Sequence, residues 1–493
     1  MATCPYPSYG ALQGDLEVDV AVVGGGIVGI LTAARLKEAG LRVAVIESRQ
    51  VAGGVTGYTT AKLTAVHTTI YSKLRKHFGE EEARLYAEAN TRAIDWAEAQ
   101  VRSRGIDCDF SRLPLTLYVD SADERDTLEK EYEAAGKAGL ACELLSRADA
   151  PFPTAGALRF PNQAQFHIRK FLQPFIESIQ GDGSAIFENT RALEVEEGEP
   201  CEVKTEWGTV RSRFVVLATM FPIFDPGLYW ARLNVYRDYA MAVRLNGPMP
   251  SEMLVGAGET TYTYRTQPDT SGELLVVSGL HQKEGERSDL RQHYTKMESY
   301  LRQHFPVSEI AYYWSAQDYK TLDSVPYIGR ISPSAKRAFV ATGFDAWGMS
   351  TGIVSAELIT DLILDRKSPY EDLYNPNRFK PTGSIGQLSE NVANATKHLV
   401  IERISGAAKL RAETLNPGDG DILETEEGKA GIYKDEAGRL HALSPYCTHM
   451  GCQLSFNSAE KSWDCGCHGS RFTVDGKVIQ GPAVKDLEFK EIS

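Results

Sequence analysis

Positive charge is in deficit along these 493 residues: 53 Lys and Arg stand against 66 Asp and Glu, a formal net charge of −13. A polyanion would meet long-range repulsion rather than steering, which removes nucleic acid as an expected partner. Long apolar runs are missing too. The longest early uncharged stretch, Val20 to Ala34, holds 15 residues, several of them glycine, short of the ~18 that a spanning helix needs. No Lys or Arg precedes Arg35, so neither a basic signal-peptide start nor a twin-arginine signal is read, and a cytoplasmic location with no membrane span is expected. Cysteine is too sparse for a disulfide scaffold, with Cys4, Cys108, Cys142 and Cys201 scattered; yet Cys447, Cys452, Cys465 and Cys467 crowd one short window that demands chemistry. There is no internal repeat and no low-complexity tract. A 42% hydrophobic and 24% charged composition excludes collagen-like, disordered and membrane-embedded classes. At roughly 150 residues per domain, about three folded units are expected, or one large composite domain and a smaller one.

Val18 to Val23 reads as a buried strand, Ile27 to Ala39 as a helix closed by Gly40, and Arg42 to Glu47 as a second strand, together a βαβ unit. From about Lys73 to Ala148 the pattern is helical and charged, most clearly from Glu80 to Arg104. Strand signals dominate from about Ala185 to Val216 and recur at Tyr236 to Leu245, Tyr262 to Thr266 and Leu274 to Ser278. The mixture predicts a second sheet inserted into a nucleotide-binding core. A strand over Ala338 to Thr342 then leads through a glycine-containing turn into a helix from about Thr351 to Leu364. Prolines at 369, 376 and 381 with Gly383 and Gly386 mark a boundary, and a helix from Gln387 to Ile404 is expected to join a glycine-rich tail of short strands.

Gly24-Gly25-Gly26-Ile27-Val28-Gly29 fits G-x-G-x-x-G, and Glu47 follows 23 residues after the first glycine, at the end of the second strand. Gly24 permits the tight turn, Gly26 lets the backbone approach a pyrophosphate, Gly29 lets helix and strand pack closely, and Glu47 would accept hydrogen bonds from a ribose. Two further stretches favour FAD over NAD. Gly53 to Lys62 offers small residues, hydroxyls and a cation (Gly57, Thr59, Thr60, Lys62) suited to the flavin half of an extended cofactor. Gly343 to Gly352, with Trp347, Gly348, Met349 and Thr351, places a helix N-terminus where it would stabilise negative charge on a reduced isoalloxazine. A second fingerprint for NAD(P)H is lacking: Gly256-Ala257-Gly258 has Thr261 where the third glycine belongs.

On these residues, together with Val215 to Thr219 and Pro326-Tyr327-Ile328-Gly329, the stretch from about 15 to 370 resembles the D-amino-acid oxidase-like family of FAD-dependent amine and amino-acid oxidoreductases, in the branch related to gamma-glutamylputrescine oxidase. Some members attach flavin through a cysteine just before the Pro-x-x-Gly segment. Trp314 to Tyr319 contains none here, so the resemblance implies non-covalent FAD. It also places Arg265 and His281 on strands over the flavin, as a carboxylate partner and a polar contact, with plain surface placement as the alternative for each; Lys62 either neighbours the flavin or is an ordinary solvated lysine. Tyr312, Tyr313, Trp314 and Tyr319 would cage an ammonium by cation-π attraction or else serve as buried strand aromatics. No general base is identifiable.

Cys447-Thr448-His449 is followed by Cys465-Gly466-Cys467-His468. One Cys and one His from each loop is the ligand pattern of a Rieske 2Fe-2S centre, whereas structural zinc sites pair C-x-x-C with H-x-x-x-H. The two segments resemble the Rieske proteins of cytochrome bc complexes and Rieske ferredoxins. By that resemblance Ser470 donates toward a cluster sulfide, Gly481-Pro482-Ala483 covers the third side, and Phe472 replaces a Tyr found in high-potential relatives, which implies a lower potential. Cys452 and Cys467 are left over, one per loop, and a disulfide between them would clamp the loops, unusual as that is in a cytoplasm.

The fold class expected is therefore an α/β Rossmann-type FAD-binding domain with an inserted α+β substrate domain, followed by a small all-β Rieske domain. The expected divisions are 1–380 for the oxidoreductase (insertion about 75–330), 381–404 for a linker helix and 405–493 for the Rieske domain. The expected function is oxidation of an amine or amino-acid-like substrate by hydride transfer to FAD, with electrons relayed singly through the cluster to an acceptor such as oxygen, a quinone or a redox protein. A tail so joined should be removable without harm to flavin reduction. A non-catalytic electron carrier or redox sensor is the alternative. A Rieske oxygenase would need a mononuclear iron, and the histidines at 67, 77, 167, 281, 293, 304, 398 and 441 lack the H-x-x-x-x-H spacing of that family.

Overall fold

Leu16–Val23, rich in valine, lies at the centre of an eight-stranded sheet because both its faces are covered. It pairs in parallel with Val43–Ile46 on one side and Thr209–Leu217 on the other. Ala185–Phe187 and Ala338–Thr342 extend the parallel set, and antiparallel Tyr327–Arg330 closes one edge. The computed structural model describes residues 4–259, 262–284, 290–378, 415–426 and 428–491; the helix expected over Gln387 to Ile404 lies outside them. Helix Ile27–Glu38 runs from the first strand to the second, so the βαβ unit stands as expected with ends shifted by a residue or two. Its glycine-lined start packs on helix Gly348–Ile363: a Cβ on Gly352 would come within 2.9 Å of Ile27 Cγ2.

A nine-stranded sheet packs beside the first, ordered Val307–Thr321, Leu233–Leu245, Gly272–Lys283, Thr263–Asp269, Met253–Gly256, Ser111–Val119, Gly156–Gln165 and Lys62–Leu63, with Glu143–Leu145 off the path. Its strands come from two stretches of chain, separated by the return to the first sheet between Ala185 and Leu217. The helical reading of 73–148 needs correcting. Glu80–Arg104 and Arg125–Lys137 are helices, but Ser111–Val119 is a strand between them. Pro114, at a register shift between Leu113 and Leu115, has no N–H for a helix and sits where a ladder tolerates one. The helix expected from Thr351 begins instead at Gly348, because Gly348 takes helical geometry rather than extending the turn.

The tail is all-β: a three-stranded sheet from Gly420–Thr425 to Leu440–Leu443, and a four-stranded one from Leu454–Asn457 to Val478–Gln480. Trp463, Phe472 and Leu454 fill its core around the buried cysteines. No helix among the described residues is long and apolar enough to cross a membrane.

Candidate functional site

A cavity of about 550 Å³ opens where the first sheet's strands end and the second sheet begins. At its floor the glycine loop has no room for side chains. Gly24 holds φ +108°, and a Cβ on Gly29 would lie 1.9 Å from the carbonyl oxygen of Gly24. Glu47 spans the loop from the second strand: Oε2 accepts from the Gly25 N–H at 2.8 Å and Oε1 from the Arg49 N–H at 2.9 Å. Gly24, Gly26, Glu47, Thr59, Thr60, Trp347, Gly348 and Met349 all line the cavity. Four other candidates stand behind that wall. Gly29 and Gly343 permit close packing, the Gly57 N–H closes a turn onto Gly54, and the Thr351 hydroxyl donates back to the Trp347 carbonyl.

Lys62 also lines the cavity and is buried, so the solvated-lysine alternative fails. Its Nζ donates to Thr263 Oγ1 at 2.7 Å and to Thr60 Oγ1 at 3.3 Å. Burial, with the nearby Arg265 charge, pulls its ammonium down to about 7. Arg265 itself is buried behind the wall, donating to Gln267 Oε1 and the Thr266 carbonyl. His281 stands on the wall with Nδ1 3.0 Å from Asp238 Oδ1; burial opposes its charge, but the Asp238 hydrogen bond and charge win and raise it. The aromatic cage does not assemble: Tyr312 and Tyr313 are 51% and 66% exposed, and only Trp314 reaches the cavity, its indole donating to the Tyr58 carbonyl. Tyr319 points the other way, toward the tail.

Two cavity residues carried no sequence signal. His67 stacks on Trp347 with centroids 5.1 Å apart, and is fixed by Tyr86 Oη at 2.6 Å and the Thr64 carbonyl at 2.9 Å. Burial holds it neutral, down to about 4. Asp318 accepts from the Ala346 N–H at 2.6 Å, and burial pushes its carboxyl up to about 7, with Asp345 and Asp238 adding to the rise.

In the tail, Cys452 and Cys467 form a disulfide between the two loops. Cys447, Cys465 and His468 are buried, and the His449 and His468 rings stand perpendicular, 5.1 Å apart. The loops turn backbone N–H groups toward each remaining sulfur, those of His449 and Met450 toward Cys447 Sγ and those of Cys467 and His468 toward Cys465 Sγ. Ser470 stands beside Cys447, and its Oγ accepts from the Ala483 N–H at 3.0 Å. His449 Nδ1 is buried with no hydrogen-bond partner. Two adjacent thiols, two imidazoles on one side and a ring of N–H groups aimed at sulfur fit a 2Fe-2S cluster held by Cys447, Cys465, His449 and His468.

The histidine side of the tail is seated on the oxidoreductase. Tyr319 Oη donates to the His468 carbonyl at 2.7 Å, and Phe221 lies 5.5 Å from Tyr319 and 5.9 and 5.7 Å from the His449 and His468 rings. A Cβ on Gly469 would fall 2.6 Å from Tyr319 Oη, so only glycine allows the approach. Beside it a buried ionic cluster crosses the junction. Arg237 meets Glu284 at 2.5 Å on its own side, and Asp464 at 2.8 Å and Glu460 at 3.3 Å on the tail. The tail segment from Ile479 to Val484 lines the cavity itself. A tail removable without consequence for the flavin site is therefore not what the fold provides.

The family model described as FAD dependent oxidoreductase matches residues 19–362, and that of the Rieske [2Fe-2S] domain matches 408–490. The chain belongs to the FAD dependent oxidoreductase family. It carries a C-terminal Rieske domain in addition. Similarity over nearly its whole length, 37% identity across 98% of this chain and 95% of the other, joins it to a Bacillus subtilis (strain 168) protein named as a Rieske 2Fe-2S iron-sulfur protein, YhfW. The gamma-glutamylputrescine oxidoreductase of Escherichia coli (strain K12) is 25% identical over 43% of this chain and 51% of its own. Glycine oxidase from Geobacillus kaustophilus shares the fold, with a TM-score of 0.60 at 19% identity over 74% of this chain and 99% of its own. The cofactors are accordingly FAD and a Rieske 2Fe-2S cluster. The glycine cradle, with Gln317 on the cavity wall and its carboxamide buried without a partner, fits the first.

Proposed function

We propose that this FAD-dependent oxidoreductase oxidises an amine or amino-acid-like substrate at its C–N bond and sends the electrons singly through the Rieske centre to an acceptor, whether oxygen, a quinone or a redox protein. FAD supplies a two-electron hydride acceptor and the cluster a one-electron carrier. The observation that carries the reading is the shared junction: Tyr319 and Phe221 sit between the cavity wall and the histidine side of the cluster loops.

Within the cavity, Lys62 with the Thr263 and Ser278 hydroxyls forms a polar corner for a carboxylate, while Asp238 and Asp318 offer acidic groups to an ammonium. Asp318, pushed up to about 7, is poised to take a proton from a substrate ammonium at neutral pH. His67 stays neutral and holds the Trp347 indole and the start of helix Gly348–Ile363 in place through Ser350, 3.1 Å from its Nε2. Burial of Tyr319 and His468 excludes water from the junction.

Anaerobic mixing with a panel of amines and amino acids tests the reading. Flavin bleaching should come first and the reduced-cluster EPR signal second, at a rate independent of protein concentration. A flavin fully reduced beside a cluster that stays oxidised refutes the relay.

A further inference from the structure

The tail does more than carry a cluster. Residues Ile479, Gln480, Gly481, Ala483 and Val484 form part of the wall of the cavity that the family fold assigns to FAD. The segment is pinned at both ends to different machinery. At one end Arg191, which also lines the cavity near Glu47 and Arg49, donates from Nη2 to the Val478 carbonyl at 3.1 Å. At the other, the Ala483 N–H donates to Ser470 Oγ, the hydroxyl that faces Cys447. Gln480 stands between these anchors, and its Nε2 is buried with no hydrogen-bond partner. A buried amide left so is costly and calls for a ligand group. Gln317, on the same wall but from the oxidoreductase strand Val307–Thr321, repeats the pattern with both its amide atoms.

We infer that the FAD site is bipartite, completed by the Rieske segment Ile479–Val484, with the Gln480 carboxamide as a direct FAD contact near the Glu47 end of the cavity. FAD and the cluster then share one short segment of chain as a common wall. The inference rests on FAD binding by this family, and is independent of the substrate and of the electron route.

Gln480→Ala in the full chain, loaded with cluster, should raise the FAD dissociation constant about five- to tenfold, the loss of one hydrogen bond, while iron content and the cluster EPR signal stay unchanged. Unaltered FAD affinity would overturn the assignment of Gln480. A measurement without substitution tests the shared wall: adding FAD to flavin-stripped, cluster-loaded protein should slow amide hydrogen exchange across Val478–Val484. Exchange in that segment indifferent to FAD would overturn the bipartite site.

Discussion

Arg237→Met strikes the junction where its cost can be worked out. The guanidinium is 2% exposed and meets Glu284, Ser315, Asp464 and Glu460. Removing one partner of a buried ionic set leaves uncompensated charge and costs about 3–5 kcal/mol. Asp464 retains Arg471 at 3.1 Å, Asn457 at 2.9 Å and Ser462 at 2.8 Å, so the loss is shared between Glu284 on one side and the two tail carboxylates on the other. Roughly half, about 2 kcal/mol, then falls on docking of the tail, a factor of about 30 in the docked population. Hydrogen exchange across the junction, at Gly469 and Val478–Val484, should quicken by about that factor, and flavin-to-cluster transfer should become salt-sensitive. A cycle with Asp464→Asn isolates the pair. Coupling near 2 kcal/mol is expected, and additivity within about 0.5 kcal/mol would refute an energetic role for the Arg237–Asp464 contact.

Binding of a simple carboxylate to the loaded protein, read by perturbation of the flavin spectrum, should weaken as pH rises through about 7, because Lys62 loses its proton there; Lys62→Met should abolish that dependence, and an unchanged profile counts against the lysine. For stability the sign follows from the unfolded chain holding this proton up to the ordinary lysine range of about 10.4: stability gains with pH between about 7 and 10 in the native protein, and the gain disappears in Lys62→Met. Tyr319→Phe removes one buried hydrogen bond to the His468 carbonyl, so docking should lose about 1 kcal/mol while substrate-driven flavin bleaching keeps its rate; slowed bleaching would mean that Tyr319 serves the substrate after all. Gly29→Ala would drive a Cβ to within 1.9 Å of the Gly24 oxygen, and the purified protein should lose its FAD yet keep its cluster; retained FAD would show that the loop can give way.

The parts of the site legible in the sequence are those whose physics is local. Gly24 to Gly29 and Glu47 are tied by one turn and one strand, and the Cys-x-His and Cys-x-x-His loops each state half a ligand set. What was hidden depends on contacts between distant residues. Tyr319 meets His468 across 149 positions and Arg237 meets Asp464 across 227, and no periodicity encodes such partners. Tyr319 therefore looked like a substrate-cage residue when it is a junction residue. The strand Ser111–Val119 was lost among charged helices although Pro114 marked the break. His67 carried no pattern at all, since a single histidine gains its role only from Trp347, Tyr86 and Ser350 around it.

The cavity wall begins at Val23 and reaches Val484. A chain emerging from the ribosome makes the glycine loop almost at once, but cannot enclose a dinucleotide until synthesis has passed the second cluster loop. The stretch carrying the second pair of cluster ligands stands directly before the one that closes the flavin compartment, so both compartments are completed within the same short span of synthesis.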